Sequence, residues 1–292
     1  MKRQSTPYLL ALGFVLGAAS NVFGQSPTFT SIDFPGAAST QAWGINSRGD
    51  IAGQYVNADN SSHGFLLSGG QYRTIDFPGA TSAIAVAISP RGDIVGSYTS
   101  AGVTHGFLFS GGNFTTIDFP GAGALSTEVL GINQRGDVVG DYSVTSAVNP
   151  CCAAGTHGFL LSGGNFTALD FPDAILSFNS GINPGADIVG SYSDGVSKGF
   201  LLSDGDFTSI AFPGATFTNA LAINARGDVV GRYTAGGVTH GYMLSGGQFN
   251  TIDFPDATFT GNTSINQSGD IVGRYRRADG VFHGFLLTGF RP

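Results

Sequence analysis

The chain has 292 residues, which is enough for one large domain or two ordinary ones. Its net charge is −7 and only 11% of its residues are charged, which argues against nucleic-acid binding, because neutralising phosphates requires clustered lysine and arginine. Glycine accounts for 46 residues and hydrophobic residues for 41%, a composition that favours a turn-rich all-β fold and argues against disorder.

Residues 1–24 predict a secretory signal peptide. Lys2 and Arg3 form a basic start, an apolar run follows over residues 8–19, and small or apolar residues precede the cleavage site. The apolar run is short for a membrane span and no second run follows, so we expect no transmembrane segment after signal cleavage. An uncleaved N-terminal anchor is the alternative. The prediction is a secreted protein, periplasmic or extracellular, whose mature residues 25–292 carry a net charge of −9.

Three short markers recur with one period along the mature chain. The Asp-Phe-Pro signature has successive spacings of 43, 42, 52, 41 and 42 residues. It begins at Asp33, Asp76, Asp118, Asp170, Ala211 (as Ala-Phe-Pro) and Asp253. A Gly-Asp turn and a His-Gly-Phe element, varied at Lys198 and His240, keep the same period of about 42 residues. Internal repeats of this length are typical of propellers and solenoids.

Each repeat predicts four β-strands. In the second repeat, they cover Ala83–Ile88, Asp93–Tyr98, Thr104–Ser110 and Asn113–Phe119. A Gly-Asp turn, a short polar loop and a Gly-Gly hairpin connect them, and a longer Pro-Gly-Ala link leads to the next repeat. Apolar side chains on both faces of the third strand predict a sheet that is covered on both sides. Four-stranded antiparallel units of this kind are what propeller blades require.

The two ends of the chain predict how such a propeller closes. Phe29–Phe34 is a fourth strand without a preceding partner, and His283–Leu287 is a third strand without a following one. If the N-terminal strand completes the last repeat, no sheet edge is left at the seam. We therefore predict one domain over residues 25–292, an all-β, six-bladed β-propeller with the Gly-Ile-Asn strand of each repeat innermost. An open β-solenoid is the alternative, but it would not explain the complementary ends.

The repeated Gly-Ile-Asn-x-x-Gly-Asp-Ile/Val-Val-Gly-x-Tyr segment, followed by His-Gly-Phe-Leu-Leu, resembles the bacterial HAF-repeat extracellular proteins. That family is named for a His-Ala-Phe signature, usually continued by Leu-Trp. In this chain Gly replaces Ala in every copy, and Leu or Phe stands in place of Trp. The resemblance covers almost all of residues 29–290. It implies an exported repeat protein and brings no catalytic residues with it.

All five histidines of the chain lie at the first position of the His-Gly-Phe element, which reads His-Gly-Tyr at His240. Counting across the tight hairpin places each one opposite an Asp-Phe-Pro aspartate, within side-chain reach. The predicted structural pairs are His63–Asp76, His105–Asp118, His157–Asp170, His240–Asp253 and, across the seam, His283–Asp33. The fourth repeat lacks both partners and has Lys198 and Ala211 instead. We favour a structural role, because outer positions of a propeller cannot converge on one substrate or metal and no serine or cysteine recurs beside them.

Arg-Gly-Asp occurs at the turn of four repeats, beginning at Arg48, Arg91, Arg135 and Arg226. An adhesion signal is one reading. We favour a simple turn, because Ala186 and Ser268 replace the arginine in the other two copies.

Departures from the repeat mark a candidate binding site. Repeat three has about ten extra residues within 143–156, including the vicinal pair Cys151 and Cys152, for which both a disulfide and free thiols remain open. The only glutamate, Glu128, and the only tryptophan, Trp43, are predicted on the same face as this insertion, where propellers build binding sites. These four residues are the candidate binding residues. A decorative loop and a packed tryptophan are the alternative.

We expect a non-enzymatic binding or surface-interaction protein whose partner is an extracellular ligand, a glycan or a protein. No catalytic residue, metal or cofactor is predicted. The alternative is a hydrolase or lyase that acts on polysaccharide through the propeller channel. It would need acids or a nucleophile at the axis, where the inner strands offer mainly Ile, Ala, Gly and Asn. A purely structural envelope component is the third class.

Overall fold

The structure, a computed structural model, describes residues 26–121, 124–144 and 155–292. Within these ranges the regular structure consists of 24 β-strands and no helix. No helix that could cross a membrane is therefore found in the described part of the chain. The predicted signal peptide and the pair Cys151 and Cys152 lie outside the described residues.

The strands follow the predicted succession. Strand β1 (Thr28–Ile32) comes first, and each repeat then contributes a run of consecutive strands. Repeat one is β2 (Ser39–Ile45), β3 (Ile51–Val56), β4 (Ser62–Ser68) and β5 (Gln71–Ile75); repeat two is β6 (Ser82–Ile88), β7 (Ile94–Ser100), β8 (Val103–Ser110) and β9 (Asn113–Ile117); repeat three is β10 (Ala124–Ile132), β11 (Val138–Val144), β12 (Gly155–Ser162) and β13 (Asn165–Ala168). Repeat four is β14 (Leu176–Ile182), β15 (Ile188–Ser193), β16 (Ser197–Ser203) and β17 (Asp206–Ile210); repeat five is β18 (Phe217–Ile223), β19 (Val229–Ala235), β20 (Val238–Ser245) and β21 (Gln248–Ile252); repeat six is β22 (Phe259–Ile265), β23 (Ile271–Arg276) and β24 (Phe282–Thr288).

The strands of repeats one to four form four separate antiparallel sheets of four strands each. The remaining eight strands form one sheet, made of the run β18-β19-β20-β21 and the run β22-β23-β24-β1. A single parallel bridge between Thr239 and Phe259 joins the two runs. Strand β1 pairs antiparallel with β24 along its whole length, from Thr28 opposite Thr288 to Ile32 opposite Gly284.

The first strands of the six repeats surround a common axis. Strands β2, β6, β10, β14, β18 and β22 each contact the next one, and β22 in turn contacts β2. All six contribute residues to one axial cavity of about 150 Å³. Antiparallel sheets set around an axis with their first strands innermost define a β-propeller. The chain is therefore an all-β propeller.

The glycine of each Gly-x-Tyr segment allows the second strand of a repeat to approach the innermost one. A Cβ atom on Gly96 would overlap the carbonyl oxygen of Ile84. The same overlap with the innermost strand would arise at Gly53, Gly140, Gly190, Gly231 and Gly273. The innermost strand is irregular just beyond this contact, with a register shift between Ala85 and Ala87. The recurring glycine is thus a packing requirement of the sheet.

Aromatic stacking joins each repeat to the next. The phenylalanine of an Asp-Phe-Pro segment lies flat on the Gly-x-Tyr tyrosine of the following repeat, with ring centroids 3.6–3.7 Å apart. These pairs are Phe34–Tyr55, Phe77–Tyr98, Phe119–Tyr142, Phe171–Tyr192, Phe212–Tyr233 and Phe254–Tyr275. The Asp-Phe-Pro marker and the Gly-x-Tyr segment therefore recur together because they form one contact between repeats.

Candidate functional site

One end of the axis is built from the Gly-Asp turns and is held by side-chain hydrogen bonds. In repeat five, Asn224 Oδ1 accepts from the backbone N–H groups of Arg226 at 2.9 Å and Asp228 at 3.0 Å. The Nδ2 group of the same asparagine donates to Asp228 Oδ2 at 2.9 Å and to the carbonyl of Asn266 in repeat six at 3.5 Å. These bonds fix the turn and tie neighbouring repeats together.

The same asparagine bond passes from repeat to repeat around this end. The donor–acceptor pairs are Asn46 to Ser89, Asn133 to Asn183, Asn183 to Asn224, Asn224 to Asn266 and Asn266 to Asn46, at 3.3–3.5 Å. Repeat two has Ser89 where the others have asparagine, so its side chain contributes no amide donor. The asparagine side chains at this end of the propeller therefore stabilise the turns and the contacts between repeats.

The Arg-Gly-Asp turns use their carboxylates internally. Arg226 Nε donates to Asp228 Oδ2 at 2.9 Å, and Ser245 Oγ donates to Asp228 Oδ1 at 2.7 Å. Arg48 and Arg135 bind the aspartates of their own turns in the same way. Burial alone would raise the pKa of Asp228, but hydrogen bonds from Ser245, Asn224 and Arg226 outweigh it and lower the pKa. These contacts support the turn interpretation over adhesion.

The five predicted histidine–aspartate pairs lie at hydrogen-bond distance, with Nδ1 2.7–3.0 Å from a carboxylate oxygen. Each pair links the third strand of a unit to the segment that follows its fourth strand, and the pair His283–Asp33 does so between β24 and β1. In repeat four, Lys198 Nζ instead donates to Asp194 Oδ2 at 2.9 Å. The pairs are spread over different units and converge on no common point.

In repeat one a serine joins the pair. Ser61 Oγ lies 2.9 Å from His63 Nε2, which gives the order Ser–His–Asp found in hydrolases. The same hydroxyl donates to Asp59 Oδ1 at 2.7 Å and accepts from Asn57 Nδ2 at 3.0 Å. Its proton is thus engaged by Asp59, and Ser61 lines neither axial cavity. A search for recurring serines misses this residue, which acts as part of a hydrogen-bonded loop.

The opposite end of the axis is called here the link face. At this end the Pro-Gly-Ala links enter the innermost strands, and the second strand of each repeat is connected to the third. The connection from β11 to β12 is made at this end, where Val144 pairs with Gly155. A cavity of about 210 Å³ opens beside the axis. Its lining includes Trp43, Glu128 and Tyr98. Two of the four predicted binding residues therefore share one cavity, and the other two, Cys151 and Cys152, lie outside the described residues.

Trp43 also belongs to the cavity at the other end of the axis, together with Val86 and Leu130. These three side chains form a layer between the two cavities. The two cavities therefore adjoin one another at this level.

Asp141 is a functional candidate that the sequence reasoning missed. It lies directly opposite Glu128 in the β10–β11 pair, and only 6% of it is exposed. Glu128 is an exposed residue that lines the cavity, and partial desolvation by the surrounding protein raises the pKa of its carboxyl group. Burial and the neighbouring Glu128 carboxylate raise the pKa of Asp141 well above its usual range. Two adjacent carboxyl groups with raised pKa values are typical of functional sites.

The signal that could have found Asp141 is the variation between repeats. The middle residue of the Gly-x-Tyr segment varies between repeats, although the glycine and the tyrosine beside it recur. The residue opposite it on the innermost strand varies as well. The partner pairs are Gln41–Gln54, Ile84–Ser97, Glu128–Asp141, Phe178–Ser191, Asn219–Arg232 and Gly261–Arg274. Both acids fall in repeat three and both arginines in repeats five and six. The variable positions therefore carry opposite charge on different sides of the axis.

The link face also carries the large hydrophobic residues that are exposed in the described part of the chain. They are Val103, Leu125, Ile175, Val196 and Val238, with exposed fractions of 40–66%. All lie in or beside the loops and strand starts of this face. Exposed apolar residues gathered on one face are typical of an interaction surface.

The fold is similar to that of solved propellers with different activities. The six-bladed fungal lectin of Aleuria aurantia, whose structure concerns fucose recognition, is 13% identical, with a TM-score of 0.52 and coverage of 85% of this chain and 91% of that one. Luciferin-regenerating enzyme is 12% identical, with a TM-score of 0.54 and coverage of 90% and 96%. The β-propeller domain of the Trilobed protease from Pyrococcus furiosus is 12% identical, with a TM-score of 0.51 and coverage of 87% and 95%.

At this level of identity the likeness shows the fold alone. No protein-family model matches the chain, and no curated protein matches it in sequence. The class that the fold defines is an all-β propeller, and the solved proteins of similar fold include a lectin and an enzyme.

Proposed function

We propose that the chain is an exported binding or surface-interaction protein whose ligand site lies on the link face. The observation that carries the proposal is the cavity that brings Trp43 and Glu128 together at the axis. An aromatic ring beside polar and acidic groups at the mouth of a rigid scaffold is the usual composition of a ligand site. The exposed apolar residues of the same face extend the contact surface around it.

The proposed architecture is a propeller of six blades, closed by the N-terminal strand over residues 25–292. Three observations support six blades. The first strands of six repeats surround the axis, β1 pairs with β24, and only one bridge joins the two halves of the eight-stranded sheet. At the seam between repeats six and one, Thr263 Oγ1 donates to the carbonyl of Ala42 at 2.9 Å. Phe34, which follows β1, stacks on Tyr55 of repeat one.

The proposed relationship to HAF-repeat extracellular proteins rests on the repeated motif, and the proposed export rests on residues 1–24. Expression with these residues in a bacterial host, followed by mass spectrometry of the exported protein, tests the second point. A mature N-terminus at Gln25 is expected. Full-length protein retained in the membrane fraction would favour the uncleaved anchor.

The proposed ligand is an extracellular glycan or protein. Trp43 offers ring surface for a sugar or an apolar side chain, and Glu128, Ser97 and Thr99 offer hydrogen-bonding groups in the same cavity. The Aleuria aurantia lectin, which has the same general fold, recognises fucose. Glycans are therefore a reasonable first panel, together with peptides.

A thermal-shift screen of residues 25–292 against soluble glycans and peptides tests the proposal. A ligand at one hundred times its Kd adds about 2.7 kcal/mol to the free energy of unfolding. Glu128→Gln should weaken a hit about tenfold or more, because it replaces a carboxylate in the cavity. The matched control is Asp206→Asn on the outer strand β17, which should leave the hit unchanged. A hit that is equally strong in both variants would place the ligand elsewhere.

The second candidate function is a hydrolase or lyase acting on polysaccharide, and the adjacent acids Glu128 and Asp141 favour it. A carboxyl group with a raised pKa can act as a general acid, and polysaccharide cleavage requires such a group. Release of reducing ends over time from bound glycan would identify the enzyme, and Asp141→Asn and Glu128→Gln should each abolish it. A stable complex with no new ends supports the binding protein.

A further inference from the structure

Arg232 and Arg274, the arginines at the variable positions of repeats five and six, lack the partners that buried charge normally has. Arg232 and Arg274 are both partly buried and form no ion pair. Every aspartate and glutamate of the chain lies in the described ranges, so no acid elsewhere in the sequence can neutralise them. Buried charges without a counter-charge are unfavourable, and proteins usually pair them.

The two guanidinium groups also affect each other. Burial, together with repulsion from Arg232, lowers the pKa of Arg274 to about 10. Burial lowers the pKa of Arg232 as well. The side chain of Arg232 reaches across to Gly261 of repeat six, where a Cβ atom would lie 3.7 Å from its Cδ. The positive charges of two neighbouring repeats are therefore brought into one place.

Three N–H groups in this cluster donate to no acceptor among the described residues. They are Nε of Arg232, Nε of Arg274 and Nε1 of Trp43, and all three atoms are buried. Arg274 lies over the Trp43 ring, with Cζ 4.5 Å from the ring centroid, so the side chains that carry two of the three donors are in contact. Arg274 Nη1 donates to Gln41 Oε1, and this bond orients the group. Buried N–H donors normally have an acceptor, and two of these three are on cations.

The simplest structural explanation is stacking on aromatic rings. Arg274 also lies over Phe259 and Phe282, and Arg232 lies over Phe217. Stacking accounts for the positions of the planar groups, but it uses the faces of the guanidinium groups and leaves the N–H edges free. It also does not offset repulsion between two cations.

We propose that Arg232 and Arg274, with Trp43 and Gln41, form an anion subsite on the link face that binds a carboxylate or sulfate group of a saccharide. A small rotation of the guanidinium groups would turn their N–H edges onto the oxygens of the anion. Arginine is suited to this because its donors match two oxygens at once. The inference rests on the proposed function in placing the ligand at this face, and it adds the charge of that ligand.

The subsite is formed by repeats five, six and one, whereas Glu128 and Asp141, the acids of the variable positions, lie in repeat three. An anionic group would be attracted to the arginine side and repelled from the acidic side. The charge division would therefore orient a ligand whose anionic group lies at one end.

Isothermal titration of the purified chain tests the proposal. The probes are glucuronate, glucose 6-sulfate and glucose, each at the same ionic strength set with sodium chloride. We expect saturable binding of at least one charged sugar and none of glucose at the same concentration. The two charged probes decide between carboxylate and sulfate. Equal responses to all three sugars, or none, would overturn the anion subsite.

Variants locate the binding. Arg232→Met keeps the length of the apolar stem and removes the charge, and Arg274→Lys keeps the charge and removes the paired donors. Each should weaken the charged sugar about tenfold or more. The matched control is Arg73→Gln. Arg73 lies on outer strand β5, with Cζ 5.4 Å from the centroid of the Phe109 ring, and its substitution should leave the affinity unchanged. Unchanged affinity in both link-face variants would overturn the proposal.

The thermal midpoint of the free protein separates this role from a structural one. Removing an unpaired positive charge should leave the midpoint of Arg232→Met equal to or above that of the parent. A midpoint lowered by several degrees together with unchanged binding would assign the arginine to packing. If charged sugars fail while Glu128→Gln still abolishes a neutral-ligand hit, this inference falls and the proposed binding function stands.

Discussion

At the residue scale, Tyr242 is the exception in a position that the other repeats fill with phenylalanine. The equivalent residues Phe65, Phe107, Phe159, Phe200 and Phe285 are fully buried, and so is Tyr242. Its hydroxyl has no hydrogen-bond partner among the described residues, and burial raises the pKa of this phenol. The phenylalanines at the equivalent positions show that this buried site is filled without the hydroxyl group that Tyr242 carries.

Tyr242→Phe should therefore stabilise the protein. Removing a buried hydroxyl that lacks a partner should raise the free energy of unfolding by about 1 kcal/mol, measured by urea denaturation. The control is Tyr233→Phe. The hydroxyl of Tyr233 lies 2.8 Å from Thr251 Oγ1, so its removal should lower the free energy of unfolding by about 1 kcal/mol. Destabilisation by both changes would mean that Tyr242 has a partner in solution.

Asp228 gives a prediction about pH. Its folded-state pKa is lowered from the ordinary value of 3.8, so folding favours the ionised form. The stabilisation is fully present above the unfolded-state pKa and is lost as the pH falls through the folded-state pKa. Asp228→Asn should cost about 1–3 kcal/mol at pH 7 because the bonds from Arg226, Asn224 and Ser245 lose their carboxylate.

The difference between Asp228→Asn and the parent should shrink as the pH falls below 3.8, and chemical denaturation at a series of pH values measures it. Asp206→Asn, on an outer strand, serves as the control and should differ little from the parent throughout. A difference that stays constant down to pH 2 would show that shape, and not charge, is what Asp228 contributes.

At the scale of one sheet, the close approach of the first two strands depends on the Gly-x-Tyr glycine. Gly96→Ala should lower the free energy of unfolding by about 2 kcal/mol or more, because the added methyl group would displace the carbonyl of Ile84 and its strand. Gly261→Ala is the matched control on an innermost strand. Its Cβ atom would meet nothing closer than 3.4 Å, so thermal unfolding should change little. Equal midpoints for the two variants would contradict this account of the glycine.

At the scale of the whole molecule, the proposed ring depends on strand β1. Its Phe29 packs edge-on against Phe254 and Phe285, and its pairing with β24 covers an edge that would otherwise be exposed. Deleting Ser26–Pro35 should lower the thermal midpoint sharply, and adding the same ten residues as a free peptide should restore part of it. A deletion variant as stable as the parent would contradict the closed ring.

Local features of the structure could be read from the sequence because they depend on short-range geometry. Counting residues across the hairpin predicted that His105 lies opposite Asp118, and the two side chains are at hydrogen-bond distance. The strands of repeat two begin and end within two residues of their predicted positions. Glycine, turn residues and alternating apolar positions define such elements with little help from the rest of the chain. The period of the repeat then predicts that all units are alike.

The candidate site depended on contacts that no local pattern records. Asp141 looks like an ordinary polar strand residue until its sheet buries it beside Glu128. Arg274 and Trp43 lie near opposite ends of the sequence and meet only across the seam between the last repeat and the first. The repeated sequence by itself determined the strands, the turns and the propeller class, because each repeat contains its own hairpins. The tertiary structure alone decided which variable side chains face one another, because their burial and charge environment arise only when the sheets surround a common axis.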